Sequence, residues 1–184
     1  MSSDNSVLWL HALTFAAEKH RNQRRKDADA SPYINHPIAV AAVLATEAGV
    51  TYEATLLAAL LHDTVEDTET TVQELQQLFG PVVAALVGEM SDDKSLPKEA
   101  RKRLQVEHAP GASPKAKRLK IADKICNVRD VADNPPASWS LERRREYLDW
   151  AERVVAGCRE TDSGLEALFD RAVRDARIRL GVDA

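Results

Sequence analysis

Aromatic residues are scarce in this chain of 184 residues, where Phe, Trp and Tyr together make up 5%. Ala and Leu must therefore supply most of the core. That bias favours helices over strands, because β-sheets draw on aromatic and β-branched side chains. There are only two cysteines, Cys126 and Cys158. Two thiols build no disulfide framework and fit a reducing compartment, so both are expected in or beside the core. No apolar run approaches the roughly 18 residues that a membrane span needs. The opening "MSSDNSVLWLHAL" lacks a basic segment followed by an apolar one, so no secretion signal is expected. These absences predict a cytoplasmic protein with no membrane partner. The formal net charge of −4 argues against nucleic acid as the main partner. With 44% hydrophobic residues a real core is within reach, and the length suits one domain over residues 1–184.

Punctuation along the chain marks the helices. Residues 7–24 place Leu10, Leu13 and Ala17 at helical spacing, with charge opposite. Pro37 can open a helix through "PIAVAAVLATEAG" that Gly49 ends. "ATLLAALLHD" reads as the next. Thr71 and Glu74 have the spacing of a capping box ahead of a short helix that closes at Gly80. An apolar helix over 81–90 comes after it, then the break "SDDKSLP" and a helix over 97–109. Ser113-Pro114 starts a strong helix, "KAKRLKIADKICNVRDV", and "ADNPPASW" connects it to helices over about 140–160 and 163–180. No stretch alternates apolar and polar long enough to demand a strand. The expectation is an all-α fold of eight to ten helices, without internal repeats.

Chemistry concentrates in "LLHDTVEDT". A helix that has just used leucines turns abruptly to His62, Asp63, Glu66 and Asp67. At helical spacing Glu66 lies four residues after His62 and three after Asp63, so all three can share one face. Mutually repelling carboxylates beside a leucine core need compensation, and a divalent cation supplies it. A His-Asp pair alone decides nothing, and an acidic helix end is often a solvated face. Two further segments shift the balance. "PYINHPIAVA" holds His36 directly before Pro37, and Asp123 interrupts an apolar side between Ile121 and Ile125, with Asn127 at i+4. His36, His62, Asp63 and Asp123 together make a mixed nitrogen and oxygen set. It suits manganese, iron or zinc with room for water better than a closed structural zinc site.

The order His, then His-Asp, then a distant Asp resembles the HD-domain superfamily of metal-dependent phosphohydrolases. The spellings "PYINHP", "LLHDTVEDT", "ADKICNVRD" and "FGPVVAALV" resemble the hydrolase domain of RelA/SpoT alarmone enzymes. Longer stretches, "RRKDADASPYINHPIAVA" and "EYLDWAERVV" among them, resemble the short stand-alone hydrolases of the metazoan SpoT homologue type, over about residues 9–160. The resemblance implies an HD-type helical bundle. It also implies one Mn2+ ion, with Zn2+ or Fe2+ as alternatives, on His36, His62, Asp63 and Asp123. Glu66 and Asp67 would position and activate the attacking water. The implied substrate is a small nucleotide, guanosine with a 5′-diphosphate or triphosphate and a 3′-diphosphate. Its 3′ ester would be hydrolysed to release pyrophosphate.

By the same resemblance Arg25 and Lys26 flank the nucleotide, Tyr33 lies near the base or ribose, and Asn127 contacts sugar or phosphate. Lys98, Arg143 and Tyr147 match further substrate-contacting positions. By pattern alone "RNQRRK" and "PKEARKR" would be solvated helix faces. His11, His20 and His108 show no partner pattern and read as surface or half-buried residues. Trp9, Trp139 and Trp150 read as core anchors rather than stacking platforms. Asp130 departs from the long bidirectional enzymes, which often carry a hydroxyl residue there, and Cys126 stands where a larger side chain is common. Two other readings stay open. One keeps the fold and removes the 2′-phosphate of NADPH. The other is a metal-stabilised nucleotide-binding module without turnover, against which the intact Glu66-Asp67 pair argues. The sequence is silent on oligomeric state.

Overall fold

The computed structural model describes residues 3–181. Among the described residues there are ten α-helices and no strand, only an isolated antiparallel bridge between Arg24 and Pro32. The all-α expectation holds. No helix among them is long and apolar enough to cross a membrane.

The chain divides into two compact units. The first comprises Met1–Arg24 and Pro32–Lys94. It contains α1 (Ser3–Lys19), α2 (Asn35–Ala42), a π-helical turn (Val43–Glu47), α3 (Glu53–Leu61), α4 (Thr64–Asp67), α5 (Val72–Phe79) and α6 (Pro81–Met90). Helix α3 is its centre, packed by α1, α2 and α6. Every residue from Thr55 to Leu61 is buried, which an all-round apolar helix requires. Gly80 separates α5 from α6 at φ +86°, a left-handed value that favours glycine. Pro81 then opens α6 from a position where no backbone N–H is needed.

The second unit comprises Arg25–Ser31 and Ser95–Ala184. It contains α7 (Lys98–His108), a short 3-10 turn (Ala109–Gly111), α8 (Pro114–Asp133), α9 (Leu141–Ala156) and α10 (Ser163–Arg179). Helix α8 is the spine, with α9 and α10 packed on it. Its start is built as the sequence suggests. Ser113 caps it by accepting the Ala116 N–H at 3.3 Å, and Pro114 occupies the first turn. Ser140 and Asp162 cap α9 and α10 in the same way.

Several local expectations are corrected. Helix α1 ends at Lys19 rather than continuing to residue 24, and the buried positions are Ala12, Ala16 and His20, while Leu10 is 65% exposed. The small alanines let α1 lie close to its neighbours, which a leucine stripe would not. Helix α2 begins at Asn35, so Pro37 sits inside the first turn, not at its first position. The capping box at α5 is half formed. Thr71 accepts the Glu74 N–H at 3.1 Å, but the Glu74 carboxylate pairs with Lys19 at 3.0 Å instead of reaching back. Both cysteines are buried and free, as expected.

Candidate metal centre and substrate-binding groups

The site begins where α3 stops. After Leu61 the backbone keeps helical angles through His62 and Asp63 but the regular ladder breaks, and α4 resumes at Thr64. Two threonines stabilise the break. Thr64 Oγ1 donates to the Leu61 carbonyl at 2.7 Å, and Thr68 Oγ1 donates to the Thr64 carbonyl at 2.6 Å. The interruption turns His62 inward, where it is 2% exposed, and leaves Asp63 half-buried beside it. The break falls on His62 and Asp63 themselves, and the Asp67 N–H donates to the Asp63 carbonyl at 2.8 Å, so Asp63 opens the turn that carries Glu66 and Asp67.

His36, 5% exposed in the first turn of α2, lies beside His62 with ring centroids 5.3 Å apart. His62 Nδ1 is 2.8 Å from the Ala59 carbonyl. A carbonyl only accepts, so Nδ1 carries the hydrogen and Nε2 keeps its lone pair. That lone pair faces Asp63 Oδ2 at 3.0 Å, and His36 Nε2 lies 3.8 Å from the same oxygen. Two buried imidazole nitrogens gathered on one carboxylate oxygen form a donor set that a divalent cation fits. Tyr33 fixes the carboxylate, its hydroxyl donating to Asp63 Oδ2 at 2.7 Å. Tyr33 thus lies against the ligand set rather than standing apart from it. Tyr33→Phe is expected to keep the fold and weaken divalent-cation affinity by about 10- to 100-fold, the usual effect of losing such a support. Isothermal titration with manganese checks this.

Glu66 and Asp67 come next, on α4. Glu66 Oε2 accepts the Asp92 N–H at 3.0 Å. Burial pushes the Glu66 carboxyl above its ordinary value, with the charges of Asp92 and Asp63 acting in the same direction, while the Asp92 N–H and Lys94 oppose them. Lys94 stands 3.5 Å from Glu66 Oε1 and also pairs with Asp67 Oδ1. No spacing in the sequence singles out Lys94. Its only signal is a lone cation in "SDDKS", downstream of a carboxylate cluster that needs neutralising. The first unit therefore brings together His36, His62, Asp63, Tyr33, Glu66 and Asp67.

The second unit carries the other expected residues. Asp123 lies on α8 at 7% exposure, flanked by the buried Ile121 and Ile125. Its Oδ1 accepts from Asn127 Nδ2 at 2.7 Å and its Oδ2 pairs with Lys124 Nζ at 2.8 Å. Asp123, like His36 and His62, is a buried group that can offer one ligand atom. Lys124 is itself 6% exposed and lies 4.7 Å from the centre of the Trp150 ring. Its signal in the sequence is a lysine inside the apolar "IADKIC". Arg25 donates to Asn127 Oδ1 at 3.4 Å and pairs with Asp130. The departure at 130 thus places a carboxylate against the arginine expected to meet the nucleotide.

Lys98 is held below the ordinary lysine value, first by partial burial and then by the neighbouring cations Arg143, Lys102 and Lys26. A cluster of cations that destabilise one another is what a polyanion would relieve. Arg143 lies over the Trp139 ring at 4.6 Å. Tyr147 sits between Trp139 and Trp150, ring centroids 5.6 and 5.3 Å away, and desolvation pushes its phenol well above the usual tyrosine range. Trp150 is the core anchor expected of it, buried with its indole N–H donating to the Lys102 carbonyl at 3.0 Å. Trp139 is only half-buried and carries a cation on its face.

An all-helical chain with a His, His-Asp donor set at a broken helix has the makings of an HD protein. The HD domain family matches residues 12–151, and the chain belongs to it. HD domain hydrolases are metal-dependent, and the His36, His62 and Asp63 grouping gives this member a matching candidate centre. The chain is 53% identical over 178 residues to guanosine-3′,5′-bis(diphosphate) 3′-pyrophosphohydrolase MESH1 of Xenopus tropicalis, covering 97% of this chain and 99% of the relative. Against the human protein of the same name it is 56% identical over 166 residues, covering 90% and 92% respectively. A solved structure described as a metazoan ortholog of SpoT that hydrolyzes ppGpp superposes with a TM-score of 0.89 at 47% identity, covering 95% of this chain and 96% of that one.

Proposed function

We propose that this chain hydrolyses the 3′-diphosphate of guanosine tetraphosphate or pentaphosphate, releasing pyrophosphate and GDP or GTP. We further propose that residues 1–184 work as one HD-type domain around a single manganese ion. The observation that carries the reading is the pair of buried imidazole nitrogens on Asp63 Oδ2, with Glu66 nearby on α4. The near full-length similarity to proteins bearing that activity in their names supports the substrate.

His36, His62 and Asp63 of the first unit hold the ion in this reading, and Asp123 of the second completes the set. A bound dication polarises a phosphoryl oxygen and lowers the pKa of water. The chain's own residues do the rest. Glu66 and Asp67 orient the attacking water, and a carboxylate there takes its proton. Burial makes Glu66 a better proton acceptor than an ordinary glutamate, and the Asp92 N–H keeps it aimed. Lys26, Lys98 and Arg143 meet the phosphates, Arg25 and Asn127 meet phosphate or sugar, and Tyr147 with Trp139 lines the nucleoside side. Asp130 competes with the substrate for Arg25.

Product analysis tests this. With manganese and guanosine tetraphosphate, chromatography should show GDP and pyrophosphate in equal amounts. Orthophosphate in place of pyrophosphate would overturn the cleavage assignment. No turnover of any nucleotide, with manganese still raising the melting temperature, would favour the binding module.

A further inference from the structure

His20 gave no signal in the sequence, yet it is 2% exposed. A buried imidazole is costly unless its polar atoms are used, and an apolar residue would serve packing better at this end of α1. The use is visible. His20 Nδ1 lies 2.6 Å from Gln23 Oε1, and Gln23 Nε2 donates to the backbone carbonyl of Asp67 at 2.6 Å. That carbonyl can only accept, which fixes the amide with its NH2 group on Asp67 and its oxygen on His20. His20 must therefore carry its hydrogen on Nδ1. Asp67 ends the four-residue α4, where a carbonyl lacks an intrahelical partner.

A second arm runs from the same pair. The His20 ring lies 4.9 Å from the Tyr33 ring, and the Tyr33 N–H donates to the Gln23 carbonyl at 3.2 Å. Tyr33 in turn holds Asp63 through its hydroxyl. Both arms reach the interrupted helix, one at Asp67 and one at Asp63, and both start from His20 and Gln23, which belong to neither the expected substrate contacts nor the expected metal ligands.

We propose that His20 and Gln23 are positioning residues, a locked imidazole–amide pair that sets the height of the Asp67 backbone and with it the aim of Glu66 and Asp67. The proposal rests on the reading of Glu66 and Asp67 as the water-handling pair. It differs from a packing role in a testable way, because Gln23→Glu keeps the shape but sets an oxygen against the Asp67 carbonyl.

The test compares wild type with Gln23→Glu, His20→Leu and His20→Asn, in substrate-free and substrate-bearing arms. In Gln23→Glu, hydrogen exchange at the Asp67 and Thr68 amides should accelerate about tenfold, the equivalent of one hydrogen bond, while amides of α6 are unchanged. With guanosine tetraphosphate, kcat should fall by about tenfold or more with KM and manganese affinity each within about threefold of wild type. His20→Asn, which can still donate to Gln23 Oε1, should recover kcat relative to His20→Leu. Unchanged exchange at residues 67 and 68 would overturn the proposal whatever the substrate is. So would kcat within about twofold of wild type in Gln23→Glu, a kcat loss matched by lost manganese affinity, or equal kcat in the two His20 variants. Absence of turnover in wild type, with the exchange effect present, would overturn the proposed substrate and leave the positioning role standing. If His20→Leu does not fold, Gln23→Glu, at a half-buried surface position, decides alone.

Discussion

A His62→Ala protein should fold, lose tight manganese binding and lose turnover by about a thousandfold or more. The factor comes from giving up several kcal/mol of metal-derived transition-state stabilisation at 1.36 kcal/mol per factor of ten. Structure argues for this residue above the others. His62 Nδ1 is committed to the Ala59 carbonyl, so the ring cannot turn away and its Nε2 lone pair points at Asp63. Alanine removes a preset donor and leaves Asp63 and its neighbours Glu66 and Asp67 repelling one another. Metal-free circular dichroism separates folding from binding, and titration with manganese reads the affinity. A variant that kept metal affinity within a few-fold of wild type would remove His62 from the ligand set.

Glu66→Gln should behave differently. The amide is nearly isosteric and can still accept the Asp92 N–H through its oxygen, so metal binding and KM should change little. What it cannot do is take a proton, and kcat should fall by about 10²- to 10⁴-fold, the range for losing a positioned general base. Steady-state kinetics with manganese saturating makes the split visible. Because burial raises the carboxyl, its protonation is favoured as pH falls, and loss of the charged base should appear above the pH at which an exposed glutamate protonates. An unchanged kcat would move the proton-taking role elsewhere, with Asp67 next to be tested.

Much of this architecture was legible because the chain punctuates itself with residues whose conformational rules are strict. Gly80 must turn left-handed, Pro81 must begin rather than continue a helix, and Ser113, Ser140 and Asp162 each cap the helix that starts beside them. Helices α6, α8 and α10 accordingly lie within a few residues of where spacing places them. The buried face of α1 differs from the one its leucines predict, for a physical reason. Leu10 and Leu13 outrank Ala12 and Ala16 in hydrophobicity, but burial there is decided by how closely a helix can approach, and alanine permits more.

The histidines and carboxylates of the centre could be read because a leucine-rich helix ending in His-Asp is chemically odd. Their supports could not. Lys94 reaches Asp67 across 27 residues of chain and Gln23 reaches it across 44, each through a single polar contact, and no spacing rule encodes such pairings. His20 reaches the centre through Gln23 and through the Tyr33 ring, contacts that no spacing rule encodes either. Lys124 is the exception, since a buried cation beside Asp123 could be inferred from its apolar flanks.

The most direct measurement is a manganese titration of chelator-stripped protein, following pyrophosphate release from guanosine tetraphosphate. The stripped protein should release none, and release should then rise linearly and level off at one manganese per chain. Undiminished pyrophosphate release from the metal-free protein would contradict a hydrolase built on this metal centre.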